Sequence, residues 1–166
     1  MRKLILILAV GCSLLQTARS QAPQHQHEQS QVINGAEHPE LIPNSTAFRH
    51  WLLMASVTSN PSDLDLARQR AELSKLGFIE SENLKLLLVL ADFRGRYEAL
   101  IQRHNDLARA GKHPDLSLLL QQLDDLVEST KTAIKTTLSP HNSTEIENLV
   151  NAHKREILVQ ASTSTR

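Results

Sequence analysis

Two consecutive stretches of this chain carry stripes that only a pair of packed helices can bury. The first runs through Leu86, Leu90, Phe93, Tyr97, Leu100, His104 and Leu107, alternating spacings of four and three. The second runs through Leu116, Leu120, Leu123, Val127, Thr130, Ile134 and Thr137 on the same alternation. Such spacing is a heptad seam, in which each helix presents a narrow apolar line to a neighbour. Gly111-Lys112-His113-Pro114 separates the two and reads as a tight reversal, with Asp115 capping the second helix. Helices joined by so short a link pair antiparallel. The first, from Ser81 to about Ala110, would be about 43 Å long at ~1.5 Å per residue. The fold class expected is all-α: an elongated helical bundle built on a long antiparallel helical hairpin.

The rest of the chain supplies shorter helices around that spine. Asn44 or Ser45 is expected to cap a helix reaching about Val57, with Phe48, Trp51, Leu52 and Ala55 on one stripe. Asn60-Pro61-Ser62 breaks the chain, and Ser62 caps a second helix that Gly77 terminates. Leu64, Ala67 and Ala71 fall on one side of it and Leu66, Leu73 and Leu76 on another, which predicts a helix sandwiched between neighbours. Ser139-Pro140 opens the last helix, with Asn142 as a competing cap; Ile146, Leu149, Val150, His153 and Ile157 form its apolar face. Upstream, Pro39 and Pro43 bracket Glu40-Leu41-Ile42, which favours an extended strap anchored by Leu41 and Ile42. Asn34-Gly35 is a turn signal. No alternating run predicts a sheet. The division expected is a signal peptide at 1–20, a disordered lead-in and strap at 21–43, a helical domain at 44–160 and a frayed tail at 161–166.

The leader rests on a short basic start, Met1-Arg2-Lys3, an apolar run from Leu4 to Leu15, and Ala18-Arg19-Ser20 as a small-x-small cleavage site. The run is too short for a comfortable membrane span. The full chain has 18 basic and 18 acidic residues; the leader holds Arg2, Lys3 and Arg19 and no acid, so 15 against 18 remain, a net charge of −3. That balance gives no support to nucleic-acid binding or to attraction by an anionic membrane. The single cysteine, Cys12, lies in the leader, so no disulfide holds the mature fold. Leu8-Ala9-Val10-Gly11-Cys12 partly matches a bacterial lipobox, which gives a lipid anchor at Cys12 as the alternative to cleavage after Ser20. The expected location is secreted or periplasmic.

Few residues point to chemistry. His25-Gln26-His27-Glu28 gathers two imidazoles and a carboxylate, a weak motif for zinc, copper or nickel, set against a solvated polar tail. His104 and His153 are expected to make interhelical hydrogen bonds. Asp124, Asp125 and Glu128 are expected to face water or pair with Arg96 or Arg103. Gly95 is costly inside a helix, and a close crossing by the Trp51 helix would explain it better than a hinge. Asn44-Ser45-Thr46 and Asn142-Ser143-Thr144 match the glycosylation pattern, with capping as the preferred reading. No phosphate loop, nucleophile elbow or zinc-protease motif is present. No residue is therefore assigned a catalytic, cofactor-binding or metal-binding role, and no cofactor is expected.

Ile33-Asn34-Gly35 followed by Pro39-Glu40-Leu41-Ile42-Pro43-Asn44 resembles the opening of uncharacterised secreted bacterial helical proteins. Leu138-Ser139-Pro140-His141-Asn142 is similar to the Leu-Thr-x-x-Gln helix start of Spy/CpxP-type periplasmic stress proteins, with Asn142 in place of the glutamine. That second resemblance implies a chaperone or metal-stress role. The leading expectation is a non-enzymatic exported protein acting through protein–protein contacts or self-association, Leu87, Leu119 and Leu126 being the positions left over for a partner. The alternative is a Spy/CpxP-like periplasmic chaperone or metal-stress protein.

Overall fold

The computed structural model describes residues 31–161, which are mostly helical with one short antiparallel strand pair. The readings made for the leader, Cys12, His25 and His27, and for nearly all of the tail lie outside that range. Helices α1 (Asn44–Ala55), α2 (Asp63–Ser74), α3 (Glu80–Arg109), α4 (Leu116–Thr137) and α5 (Pro140–His153) follow in order. Strands β1 (Gln31–Asn34) and β2 (Leu158–Ala161) flank them.

Local chemistry sets most of the boundaries. Ser62 and Asp65 form a reciprocal capping box: the Asp65 N–H donates to Ser62 Oγ at 3.2 Å and the Ser62 N–H donates to Asp65 Oδ2 at 3.1 Å. Gly77, at φ +72°, ends the turn after α2 in the left-handed region that glycine favours. Asp115 Oδ1 accepts from the N–H groups of Ser117 and Leu118 and starts α4. Ser139 Oγ accepts from the Asn142 N–H with Pro140 in the first helical turn, so Asn142 is not the cap of α5.

Two expected caps are displaced. Pro43, not Asn44 or Ser45, stands at the N-cap of α1; its φ is already that of a chain entering a helix, and its carbonyl accepts the first helical bond from Ala47. Ile79 stands before α3, its carbonyl accepting from Glu82 and Asn83, and Ser81 lies inside the helix. At the other end of α1, the Ser56 N–H and Oγ both donate to the Leu52 carbonyl, which stops the helix before Val57.

Helices α3 and α4 pack along each other more extensively than any other pair. One groove joins Lys85–Arg96 with Ser129–Thr137, and the next joins Arg96–Arg103 with Gln122–Ser129, so the two run antiparallel. Leu86, Leu90 and Phe93 are fully buried, as are Val127 and Ile134 opposite. The seam loosens toward the link: Leu107, Leu116 and Leu120 are exposed. Leu119 and Leu126, expected to be left over for a partner, are buried, and Leu87 is half-buried. The stripe on α4 is wider than a strict heptad because α1 covers α4 from a second side. There Phe48 and Trp51 meet edge to face at 5.7 Å and Lys131 lies over the Phe48 ring.

Helix α2 is not sandwiched. Gln69 and Leu73 are its buried residues, while Leu64, Ala67 and Ala71 face solvent. Helix α5 buries Ile146 and Val150 but leaves Leu149 exposed, and Ile157 is buried from the turn beyond the helix.

The strand pair departs from the sequence-based expectation. Val32 pairs with Gln160, Ile33 with Val159 and Asn34 with Leu158. Four-residue runs such as Gln31–Asn34 are too short to show alternation, and the partner lies at the far end of the chain. The Gly35 N–H extends the pairing to the Ile157 carbonyl at 2.9 Å. The chain then turns around Asn34, whose side chain accepts from the Ala36 N–H. Pro39–Leu41 forms a 3-10 turn rather than an extended strap, since proline suits its first position. Ile42 anchors it at 1% exposure, while Leu41 stays 51% exposed.

Candidate functional site

Because α2 touches the body along one side only, clefts open on both of its flanks. The larger, about 710 Å³, lies between the end of α1 and α2. Its apolar surface comes from Trp51, Met54, Leu73, Leu76 and Leu149, and charged Arg68, Glu72 and Lys75 rim it. Gln69 bridges the helices beneath it, donating from Nε2 to the Ala55 carbonyl at 2.8 Å. The second, about 630 Å³, separates α2 from the first half of α3 and is lined by Val57, Leu66, Leu84, Leu87 and Leu88. Leu88 is 73% exposed and Met54 64%, so both clefts offer solvent-facing apolar side chains. Of the leftover heptad positions expected to meet a partner, Leu87 lines the second cleft, whereas Leu119 and Leu126 are buried.

Two carboxylates clamp loops onto α3. Glu98 accepts from the Ser59 hydroxyl and N–H and from Arg94 Nε at 2.7 Å; the Ser59 hydroxyl, then Arg94, holds its carboxyl below the usual range. Glu82 accepts from the Ser139 N–H at 2.7 Å and from the Asn142 side-chain amide. The Ser139 N–H is the main cause of its lowered pKa. Asn142 is thus engaged in a helix junction, and Ser143 beside it is buried, so that glycosylation pattern falls on a packed segment.

Asp124, Asp125 and Glu128 all face water, one of the two expected outcomes, and none pairs with Arg96 or Arg103 among the described residues. Asp124 stands 4.0 Å from Arg49 of α1, and Glu128 pairs with Lys131 at 2.9 Å on its own helix. Arg96 turns to Asp92 instead. Asp125 shares a groove with Arg96 and Arg103 without an ion pair to either among the described residues. Gly95 has open space where a Cβ would stand, so no crossing helix requires it. Gly35 does mark a close approach: a Cβ there would collide with the Lys154 carbonyl and come within 2.8 Å of the Ile157 oxygen.

The histidines divide. His104 is half-buried, and its ring makes no hydrogen bond to α4 among the described residues. His153 makes the expected interhelical bond: its Nε2 lies 2.7 Å from Nδ1 of His50, with the ring centroids 4.9 Å apart and the planes 26° from parallel. Its Nδ1 meets Glu156 Oε2 at 2.8 Å. Sequence reasoning passed over His50 and Glu156. His50 lies off the apolar stripe of α1, and only tertiary packing brings it to α5.

Among the described residues, no three His, Cys, Asp or Glu side chains converge as a complete metal-ligand set, and no helix is long and apolar enough to cross a membrane. No protein-family model, curated protein or solved structure matches this chain.

Proposed function

We propose that this chain is exported by its Met1–Ser20 leader and acts without catalysis, through contact with another protein. The antiparallel α3–α4 pair serves as the spine of an elongated helical bundle, and α2 presents the working surface. The observation that carries this reading is the pair of apolar clefts on either flank of α2, where Met54, Leu84 and Leu88 stand exposed. Apolar floors rimmed by charges of both signs suit an amphipathic helix, whose apolar face fills the cleft while its polar face meets the rim. Scattered exposed leucines need no explanation, but apolar side chains gathered along two adjoining clefts mark a binding surface.

The decisive experiment places a photo-crosslinking residue at Met54, at Leu88 and, as a control, at Leu118 in the native host, with sedimentation of the purified protein alongside. Discrete adducts to one protein from Met54 and Leu88, absent from Leu118, support the reading. If that protein is a second copy and sedimentation shows a concentration-dependent dimer, the contact is self-association. Adducts distributed equally over the three positions would overturn it.

The second reading, a Spy/CpxP-like chaperone, draws on the likeness at Leu138–Asn142 and on the openness of the same clefts. It requires suppression of aggregation of an unfolded client, lost in Met54→Asp and Leu88→Asp. No suppression at excess protein rejects it.

A further inference from the structure

Away from these clefts, an imidazole pair ties α1 to α5, and its arrangement goes beyond a structural hydrogen bond. Glu156 fixes the state of His153. A carboxylate accepts and does not donate, so the proton of neutral His153 sits on Nδ1, 2.8 Å from Glu156 Oε2. Its Nε2 then carries a bare lone pair, aimed at Nδ1 of His50 only 2.7 Å away. An outer carboxylate that sets the tautomer of an imidazole, and raises the basicity of its far nitrogen, is the usual companion of a metal-ligating histidine.

We propose that His50 Nδ1 and His153 Nε2 form a two-imidazole site for a divalent transition ion, zinc or copper, on the α1–α5 surface. Glu156 is the positioning residue for His153. Imidazole nitrogens suit these ions, while calcium and magnesium prefer oxygen ligands.

The geometry needs one adjustment. Two nitrogens each about 2.0–2.1 Å from a tetrahedral ion stand about 3.4 Å apart, so the rings must separate by about 0.7 Å and pivot until both lone pairs meet at the ion. His50 is the mobile partner, because it is exposed, whereas the His153 side chain is 11% exposed and tethered by Glu156. On binding, the ion replaces the His50 Nδ1 proton, which passes to water while His50 Nε2 takes one up. His50 then carries its own proton on Nε2 and stays neutral. With two protein ligands the ion keeps its other positions for water or for a donor from a partner.

The test is calorimetry of the full mature chain with Zn²⁺ and with Cu²⁺, using Mg²⁺ as the hard-ion control. It is run in a His25→Ala/His27→Ala background, which removes the competing imidazoles of the N-terminal segment. A 1:1 complex should persist there for Zn²⁺ and Cu²⁺ but not for Mg²⁺. Glu156→Gln should weaken it by about ten- to a hundredfold, and His50→Gln by at least as much. His50 is exposed, so that variant keeps its fold, as circular dichroism will verify. The Cu²⁺ resonance spectrum should show one fewer nitrogen ligand in His50→Gln. Binding that disappears with His25 and His27, or that is unchanged in both His50→Gln and Glu156→Gln, would overturn the site.

Discussion

Two glycines predict opposite outcomes for the same substitution, and the difference lies in what surrounds each Cα. Gly95 sits inside α3 with open space where a Cβ would go, and nothing in its surroundings requires the missing side chain. Gly95→Ala should therefore stabilise the protein by about 1 kcal/mol, the helix-propensity difference between the two residues. Gly35 sits where β1 passes the turn after α5, and a Cβ there meets two backbone carbonyls that have no flexible end to move aside. Gly35→Ala should destabilise by about 1–3 kcal/mol, as overpacking does. Urea titrations of the two variants check both signs at once; a stabilised Gly35→Ala would mean that the β1–Ile157 contact is loose in solution. Ser62 belongs at the same scale. Its reciprocal bonds with Asp65 start α2, and Ser62→Ala should cost about 1 kcal/mol by the same measurement.

Helix junctions carry the pH dependence. Glu82 reaches from the first turn of α3 to the N–H of Ser139, at the entry to α5, and that bond holds its carboxyl below the usual range. A carboxyl lowered in the folded state contributes stability above its unfolded pKa of about 4.3, and loses it as the pH falls through the lowered folded value. Acid should therefore loosen the α3–α5 junction. The Ser139 amide resonance should shift along that titration, and the transition should be missing in Glu82→Gln. A Ser139 shift that persists in Glu82→Gln would assign the effect to another group. The elements joined here were legible in the sequence to different degrees. The α2 and α5 starts could be read because serine caps act within three residues, and the α3–α4 stripes because their period is sustained over several turns. The displaced starts of α1 and α3 could not, because Pro43 and Ile79 do the capping through backbone alone. The β1–β2 pair and the His50–His153 contact were hidden for one reason: each joins residues that only the finished packing brings together.

Across the whole molecule, burial is graded along the α3–α4 pair, and stability should be graded with it. The half far from the link is enclosed: α1 lies against both helices and α5 packs on α1 and α4, leaving Leu86, Leu90, Phe93, Val127 and Ile134 without solvent contact. The half near Gly111 has only the two helices themselves, and Leu107, Leu116, Leu118 and Leu120 remain exposed. The heptad stripes placed Leu107, Leu116 and Leu120 on the seam along with the buried positions, because sequence spacing reports which residues face a partner and not how many partners there are. Free energy of local opening follows buried apolar area, and no disulfide joins the two ends of this pair. Leu126→Ala, deep in the enclosed half, should cost about 2–5 kcal/mol, while Leu120→Ala should change stability by less than about 0.5 kcal/mol. Hydrogen exchange gives the sharper test. Amides from His104 to Leu120 should exchange through local opening, at free energies well below that of global unfolding, whereas Leu90–Phe93 and Val127–Lys131 should exchange only with it. Uniform protection along both helices would show that the link end is as firmly held as the enclosed half and would overturn the gradient.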